Sequence, residues 1–460
     1  MLAAIRWLRA GHMVGRSSRH RRGATARELA EATPASRNRY VDLLRFVSIG
    51  FVVLGHWLLA VLGFHDGAFV GRNLLEIAPG LRIATWLFQV MPVFFLVGGY
   101  TNAISWESAM LRGESYGDWL RARCVRLLRP ALWFVAFWTI LPMLAVAIAL
   151  PSSMARIGGE EVSLPLWFLS VYVLIVAAAP IVMVAHRRFG GRVFLVLAAA
   201  TVLADMAHYG LEQPWVALAN YGAVWLAVIE LGLLWRDGTL TDRWWTPVAL
   251  LAGGLASLIV VTTSFDYPVS MITLGRSARS NAFPPSLALL ALGVAQTGLV
   301  LLLEGAARRW LERPRAWLAV ATANSMIMTF YLWNMSALVL AAVLVFPTGI
   351  APQPEPLTSS WWLLRPAWIA LCALCLIPFL FGFRWAERPA AATTGQVGHG
   401  AAALGAVAAA AGLAILAREA FPVQGHSLTW PLVGVALVAL SAWCLRIDPV
   451  APLRRRAAPA

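Results

Sequence analysis

The chain is a succession of long apolar runs separated by short polar segments that carry arginine. A helix needs about 20 apolar residues to cross a bilayer. On that measure the pattern predicts about twelve spans, at 44–64, 80–104, 130–150, 165–185, 193–209, 217–235, 246–264, 284–304, 318–346, 362–384, 400–417 and 430–446. The run 318–346 exceeds one span and predicts a bent helix plus a loop. The expected fold class is therefore all-α, a polytopic helical membrane protein. No fixed-period repeat interrupts the pattern. The Ala/Gly-rich stretch 391–416 reads as part of an appended pair of spans, whose small residues permit close helix packing.

Composition agrees with this. The chain is 60% hydrophobic and 13% charged, against about 25% charged in soluble domains. All 37 basic residues are arginine, and the net charge is +15. Such a charge could serve nucleic acid, but here it is dispersed among the short loops, as cytoplasmic retention of arginine requires, so no nucleic-acid partner is expected. With the N-terminus placed inside, 30 arginines fall in inner segments and 7 in outer ones. That asymmetry predicts a multi-pass cell-membrane protein with both termini cytoplasmic and Arg45 at the cytoplasmic surface. Residues 1–39 lack a continuous apolar core and read as a disordered, solvated basic tail, with contact to anionic lipid as the alternative, rather than a signal peptide. None of the four cysteines falls in an outer loop, so no structural disulfide is expected. Cys372 and Cys375 match a redox or zinc spacing but lack a second ligand pair, and no metal site is expected.

The stretch from Tyr40 to Phe64 carries the first candidate chemistry. It begins with Asp42 and Arg45 and is then apolar except for His56. Eleven residues separate Arg45 from His56, which returns to almost the same helix face about 16 Å further along. This places Arg45 near one membrane surface and His56 near the midplane, where an ionisable residue is a functional candidate; a neutral histidine hydrogen-bonded to a neighbouring helix accounts for it equally well. A second feature is the cluster Arg121, Arg123, Arg126 and Arg129, whose last three members are spaced by three and share one broad helix side. The positive-inside bias explains any one of them. Together they suit a phosphate-bearing cofactor, because guanidinium binds phosphate bidentately. Gly98-Gly99 inside a span lets another backbone or a ligand come close. The outer loop 265–285 holds Arg276, Arg279, Ser280 and Asn281, candidates for hydrogen bonding to a sugar or phosphate; solvation alone also accounts for them. Asp205, His208, Glu230 and Glu304 lie near span ends without a clear pathway. No P-loop, GxSxG elbow or HExxH occurs.

Several of these stretches together resemble the acyltransferase-3 family of integral membrane acyltransferases. Asp42, Leu44, Arg45 and His56 match its D-x-L-R…H pattern. Phe94 to Tyr100 resembles FFxxSGY with Gly98 in place of serine, and Arg123, Arg126, Arg129 and Pro130 resemble its R-x-x-R run before proline. Pro165 to Leu169, Tyr331 to Asn334 and Glu387-Arg388-Pro389 are similar to its P-L-W-F-L, Y-L-W-H and E-R-P segments. Asn334 stands where members often have histidine, and Leu164-Pro165 where a histidine before leucine is common.

The resemblance covers about residues 40–389. It implies a ten-helix core at 40–389, leaving residues 390–460 as the appended pair and a short basic tail. It also implies an acyl-CoA-dependent O-acyltransferase, for acyl groups other than amino-acyl. The acyl group, expected to be acetyl, passes from cytoplasmic acyl-CoA to a hydroxyl of an extracytoplasmic glycan or related molecule of the cell envelope. His56 is then the general base, Arg45 and Arg123, Arg126 and Arg129 meet the cofactor's phosphates, and Asp42 orients Arg45. Gly98, Gly99 and Asn334 support the site. The competing reading is a non-enzymatic transporter or flippase for a glycan or lipid-linked substrate. Twelve spans suit it equally, although inverted repeats common in transporters are not evident.

Overall fold

The computed structural model describes residues 37–147, 159–274, 279–388, 396–421 and 428–451 of the 460. The N-terminal tail up to residue 36 and the candidate Arg276 lie outside the described residues.

The chain enters the bundle through α1 (Arg39–Leu59). Asn38 caps it, its side-chain oxygen accepting from the Tyr40 and Val41 N–H groups, which have no partner inside a helix's first turn. The expected span at 44–64 is shifted, because residues 60–64 are strand. β1 (Ala60–His65) and β2 (Ala68–Asn73) form an antiparallel hairpin with His65 opposite Ala68. Asp66 and Gly67 make its two-residue turn, both with positive φ. That is the backbone a tight hairpin demands and Asp-Gly favours. His56 consequently sits in the last turn of α1, not at the middle of a span.

After α2 (Leu74–Ile77), a 3₁₀ turn at Pro79–Ala84 and α3 (Thr85–Phe88), the chain crosses back in α4 (Met91–Leu111). Next come α5 (Tyr116–Ala147), α6 (Leu166–Phe189), α7 (Arg192–Gly210), α8 (Asn220–Arg236), α9 (Thr246–Ser264) and α10 (Leu287–Leu311). The long run at 318–346 is divided into α11 (Pro314–Asn324) and α12 (Ile327–Val345), with the break at Ser325-Met326. α13 (Ser359–Phe383), α14 (His399–Glu419) and α15 (Thr429–Cys444) complete the described helices.

Among the described residues, eleven helical segments are long and apolar enough to cross a membrane, and the 16-residue α15 is a shorter apolar helix. The protein is an all-α polytopic membrane protein. Helices α6, α8, α10 and α12 bury most of their surface, whereas α7, α9 and α13 turn theirs outward. Outward apolar surface is what lipid-facing helices require.

Glycine sets the closest crossing. A Cβ on Gly99 would strike the Ile229 carbonyl of α8, and one on Gly232 would strike the Leu96 carbonyl of α4. The two glycines therefore let α4 and α8 touch backbone to backbone. Gly412 and Gly434 do the same for the antiparallel pair α14 and α15. That pair is built into the bundle: the Ser170 hydroxyl donates to Ala410 O at 2.7 Å, and Arg121 Nε donates to Leu445 O at 2.9 Å. All four cysteines are free and buried.

Candidate active site

The site has two ends, joined by α1. At its N-terminal end the Asp42 carboxylate holds Arg37 at 2.6 Å and Arg45 at 3.6 Å. Arg45 also donates to the Thr101 hydroxyl of α4 at 2.9 Å. Arg123 of α5 donates to the Asn102 side-chain oxygen, also on α4. Arg45, Arg123 and Arg126 feel one another's charge, and Tyr172 of α6 lies beside Arg123 and Arg126. Arg45 and Arg123 are half-buried and Arg126 is exposed. A patch of three guanidinium groups with a single bound carboxylate retains a net positive charge. That is the electrostatic condition for holding an anion.

The structure divides the expected arginine run. Arg129 is buried and turns away from the patch, donating to Arg388 O at 3.2 Å. Arg121 binds the C-terminal end of the appended pair. Only Arg123 and Arg126 of the four join Arg45. The reason is helix geometry: successive steps of three drift around the axis by about 60°, so the run does not keep to one narrow face.

At the other end of α1, His56 is half-buried. Its Nδ1 lies 3.0 Å from Asn334 Oδ1 on α12. Asn334 Nδ2 donates to Tyr331 O at 2.5 Å, which turns the amide oxygen toward the imidazole. An amide oxygen only accepts, so Nδ1 carries a proton, and in the neutral imidazole Nε2 keeps its lone pair. Asn334 is fully buried, and its own carbonyl accepts from Trp57 Nε1 at 3.0 Å. Asn334 thus fixes both the tautomer and the ring.

Conserving this arrangement requires α12 to be held in place, and other expected motif residues do so. The Glu387 carboxylate accepts from the Met328 and Thr329 N–H groups at 3.0 and 2.7 Å. These are free donors in the first turn of α12, where a negative charge is also favoured by the helix dipole. Tyr331 OH donates to Pro165 O at 2.6 Å. The segments around Pro165, Tyr331 and Glu387 therefore meet around the helix that presents Asn334.

The remaining candidates fall elsewhere. Gly99 is occupied by α8, and a Cβ on Gly98 would lie 3.3 Å from the Tyr172 ring, so both glycines face protein. Arg279 lies over the Tyr209 ring and donates to Phe265 O. Ser280 bonds to Thr273, and Asn281 donates to Pro268 O and Ser270 O while accepting from Ser286. These contacts tie residues 265–273 to residues 279–286. Nearby, Asp205 accepts from Asn220, Tyr267 and the Leu287 N–H, which gives its buried carboxylate a structural task. Sequence reasoning missed Thr101, Asn102 and the hairpin. The Asp-Gly turn between two apolar runs was a readable signal for the hairpin; Thr101 and Asn102 carried none.

His56 with its Asn334 partner and the arginine patch thus stand at opposite ends of α1. A family model described as an acyltransferase domain, acyltransferase-3, matches residues 38–380. The chain belongs to that family. No curated protein and no solved structure matches it.

Proposed function

We propose that the protein moves an acyl group, acetyl by preference, from cytoplasmic acyl-CoA to a hydroxyl of an extracytoplasmic glycan or related acceptor. The hydrogen bond from His56 Nδ1 to Asn334 carries the proposal. It leaves Nε2 free to take the proton of the acceptor hydroxyl as oxygen attacks the thioester carbonyl. The new ester bond forms, the carbon–sulfur bond breaks, and the thiolate leaves as coenzyme A after taking up the proton. Base assistance of this kind contributes roughly 10²–10⁴ in rate.

Arg45 cannot touch His56, because about 16 Å of helix separates them. Arg45, Arg123 and Arg126 are assigned instead to the phosphates of the donor, with the slender pantetheine arm running along α1 toward His56. Asp42 keeps Arg45 in position. Arg129 serves the fold rather than the donor. The arginine asymmetry supports placing the patch on the cytoplasmic side and the hairpin outside.

The test is transfer of label from radiolabelled acetyl-CoA to crude envelope glycan by the purified protein. His56→Ala abolishes transfer at unchanged protein level, and full activity in that variant would sink the assignment. Arg126→Gln raises the donor KM and leaves kcat nearly as it was; an unchanged KM argues against donor docking at the patch. A protein that neither binds acyl-CoA nor turns it over would favour a transporter.

A further inference from the structure

A cavity of about 410 Å³ opens beyond the C-terminal end of α1, between the hairpin, residues 351–356 and α13. Its size is within the range of small-molecule sites, about 300–1,000 Å³. Arg365 of α13 lines it and is only 8% exposed. The guanidinium stands 3.6 Å from the Trp361 ring centroid and makes one hydrogen bond, a long one of 3.4 Å to Ala60 O. Among the described residues no carboxylate lies within ion-pair distance of it. Most of its five N–H donors are thus unspent and open to the cavity, on a side chain that is otherwise enclosed. Trp368, one turn further along α13, adds an aromatic ring to the same wall, with its Nε1 closed off from the cavity.

The cavity carries an excess of positive charge, Arg365 and Arg72 against Glu355. His56 itself does not line the cavity, but a backbone relay links the two. Ala60 N–H donates to His56 O, and Ala60 O accepts from Arg365. Arg365 is therefore anchored one helical turn from His56.

We propose that this cavity docks the acceptor and that the acceptor is an acidic sugar, its carboxylate or phosphate paired with Arg365 and its ring laid along the Trp368 side of the wall. The inference rests on the acyl-transfer reading of His56. It gives that reaction a substrate class that the cationic patch at the opposite end of α1 does not address. Pairing with an anion supplies the countercharge that Arg365 lacks.

The experiment measures binding without any acyl donor. The protein is placed in phosphatidylcholine nanodiscs, and saturation-transfer NMR compares methyl glucuronide, glucose 1-phosphate and neutral methyl glucoside. At least one acidic sugar binds about tenfold or more tightly than the glucoside, and Arg365→Gln removes that difference. Glu355→Gln, at the exposed rim, strengthens acidic-sugar binding and decides the matter should the Arg365 variant not fold. Equal binding of neutral and acidic sugars overturns the proposal, as does acidic-sugar binding indifferent to both substitutions. Displacement of glucuronide by phosphatidylglycerol in the disc, or by inorganic phosphate at the same concentration, would assign the cavity to a lipid headgroup or a free anion and also overturn it. A protein that binds acidic sugars but transfers no acyl group would refute the reaction and leave the cavity standing. Transfer to neutral glycan alone would do the reverse.

Discussion

At the scale of single residues, the decisive contact is the one between His56 and Asn334. The chain lacks the histidine found at position 334 in many sequences it resembles, which by itself suggests impaired chemistry. The structure supplies a physical alternative. An amide oxygen at 3.0 Å from Nδ1 sets the same tautomer that a neutral imidazole or carboxylate partner would set, without adding a charge. For a metal-bound histidine, losing the partner that orients the ring typically costs about 10–100-fold, and the same scale is taken here. Asn334→Ala should therefore lower kcat by about 10–100-fold at unchanged donor KM. Restoring histidine at this position should recover much of the loss, because its ring can also accept from Nδ1–H. A purely structural role for Asn334 would instead show as lower protein yield with normal kcat per folded molecule. Sequence alone could name His56, since an ionisable residue in an apolar run is conspicuous. It could not show that Asn334 partners it, because 278 residues separate the pair.

At the scale of elements, glycine and turn chemistry determine where helices meet and where they stop. The apolar runs located nearly every helix, and the ends of α9 fell where the pattern put them. Apolarity does not distinguish strand from helix in a short run, so β1 was read as the end of a span until its Asp-Gly turn is considered. The Gly98-Gly99 pair was legible as a point of close approach, but not whether a ligand or a helix does the approaching. The α4–α8 crossing makes the helix answer testable. Gly99→Ala and Gly232→Ala each drive a methyl group into a facing carbonyl and should destabilise by about 1–3 kcal/mol. Gly50→Ala on α1 has nothing within 4 Å of the added carbon. It should be neutral or slightly stabilising, given the helix cost of glycine of about 0.5–1 kcal/mol. Thermal unfolding in detergent reads all three. Equal effects would mean that α4 and α8 do not cross as described.

At the scale of the whole molecule, function depends on which membrane face each end of α1 occupies. The donor patch and the cavity lie at opposite ends of that helix, so a protein that uses a cytoplasmic donor and an outer acceptor must place Arg45 inside and the hairpin outside. The arginine count supports this orientation through a general bias, and in that orientation an acceptor too large and polar to cross would approach from the cavity end of α1. The four native cysteines are buried, so single cysteines introduced at exposed sites report topology against a low background. Ser360→Cys, in the first turn of α13 beside the cavity, should react with a membrane-impermeant maleimide in intact cells. Thr239→Cys, in the exposed turn between α8 and α9, should react only after the membrane is opened. The reverse pattern would place the donor patch outside. Cytoplasmic acyl-CoA could not then reach Arg45, Arg123 and Arg126, and a donor handed over on the outer face would be required.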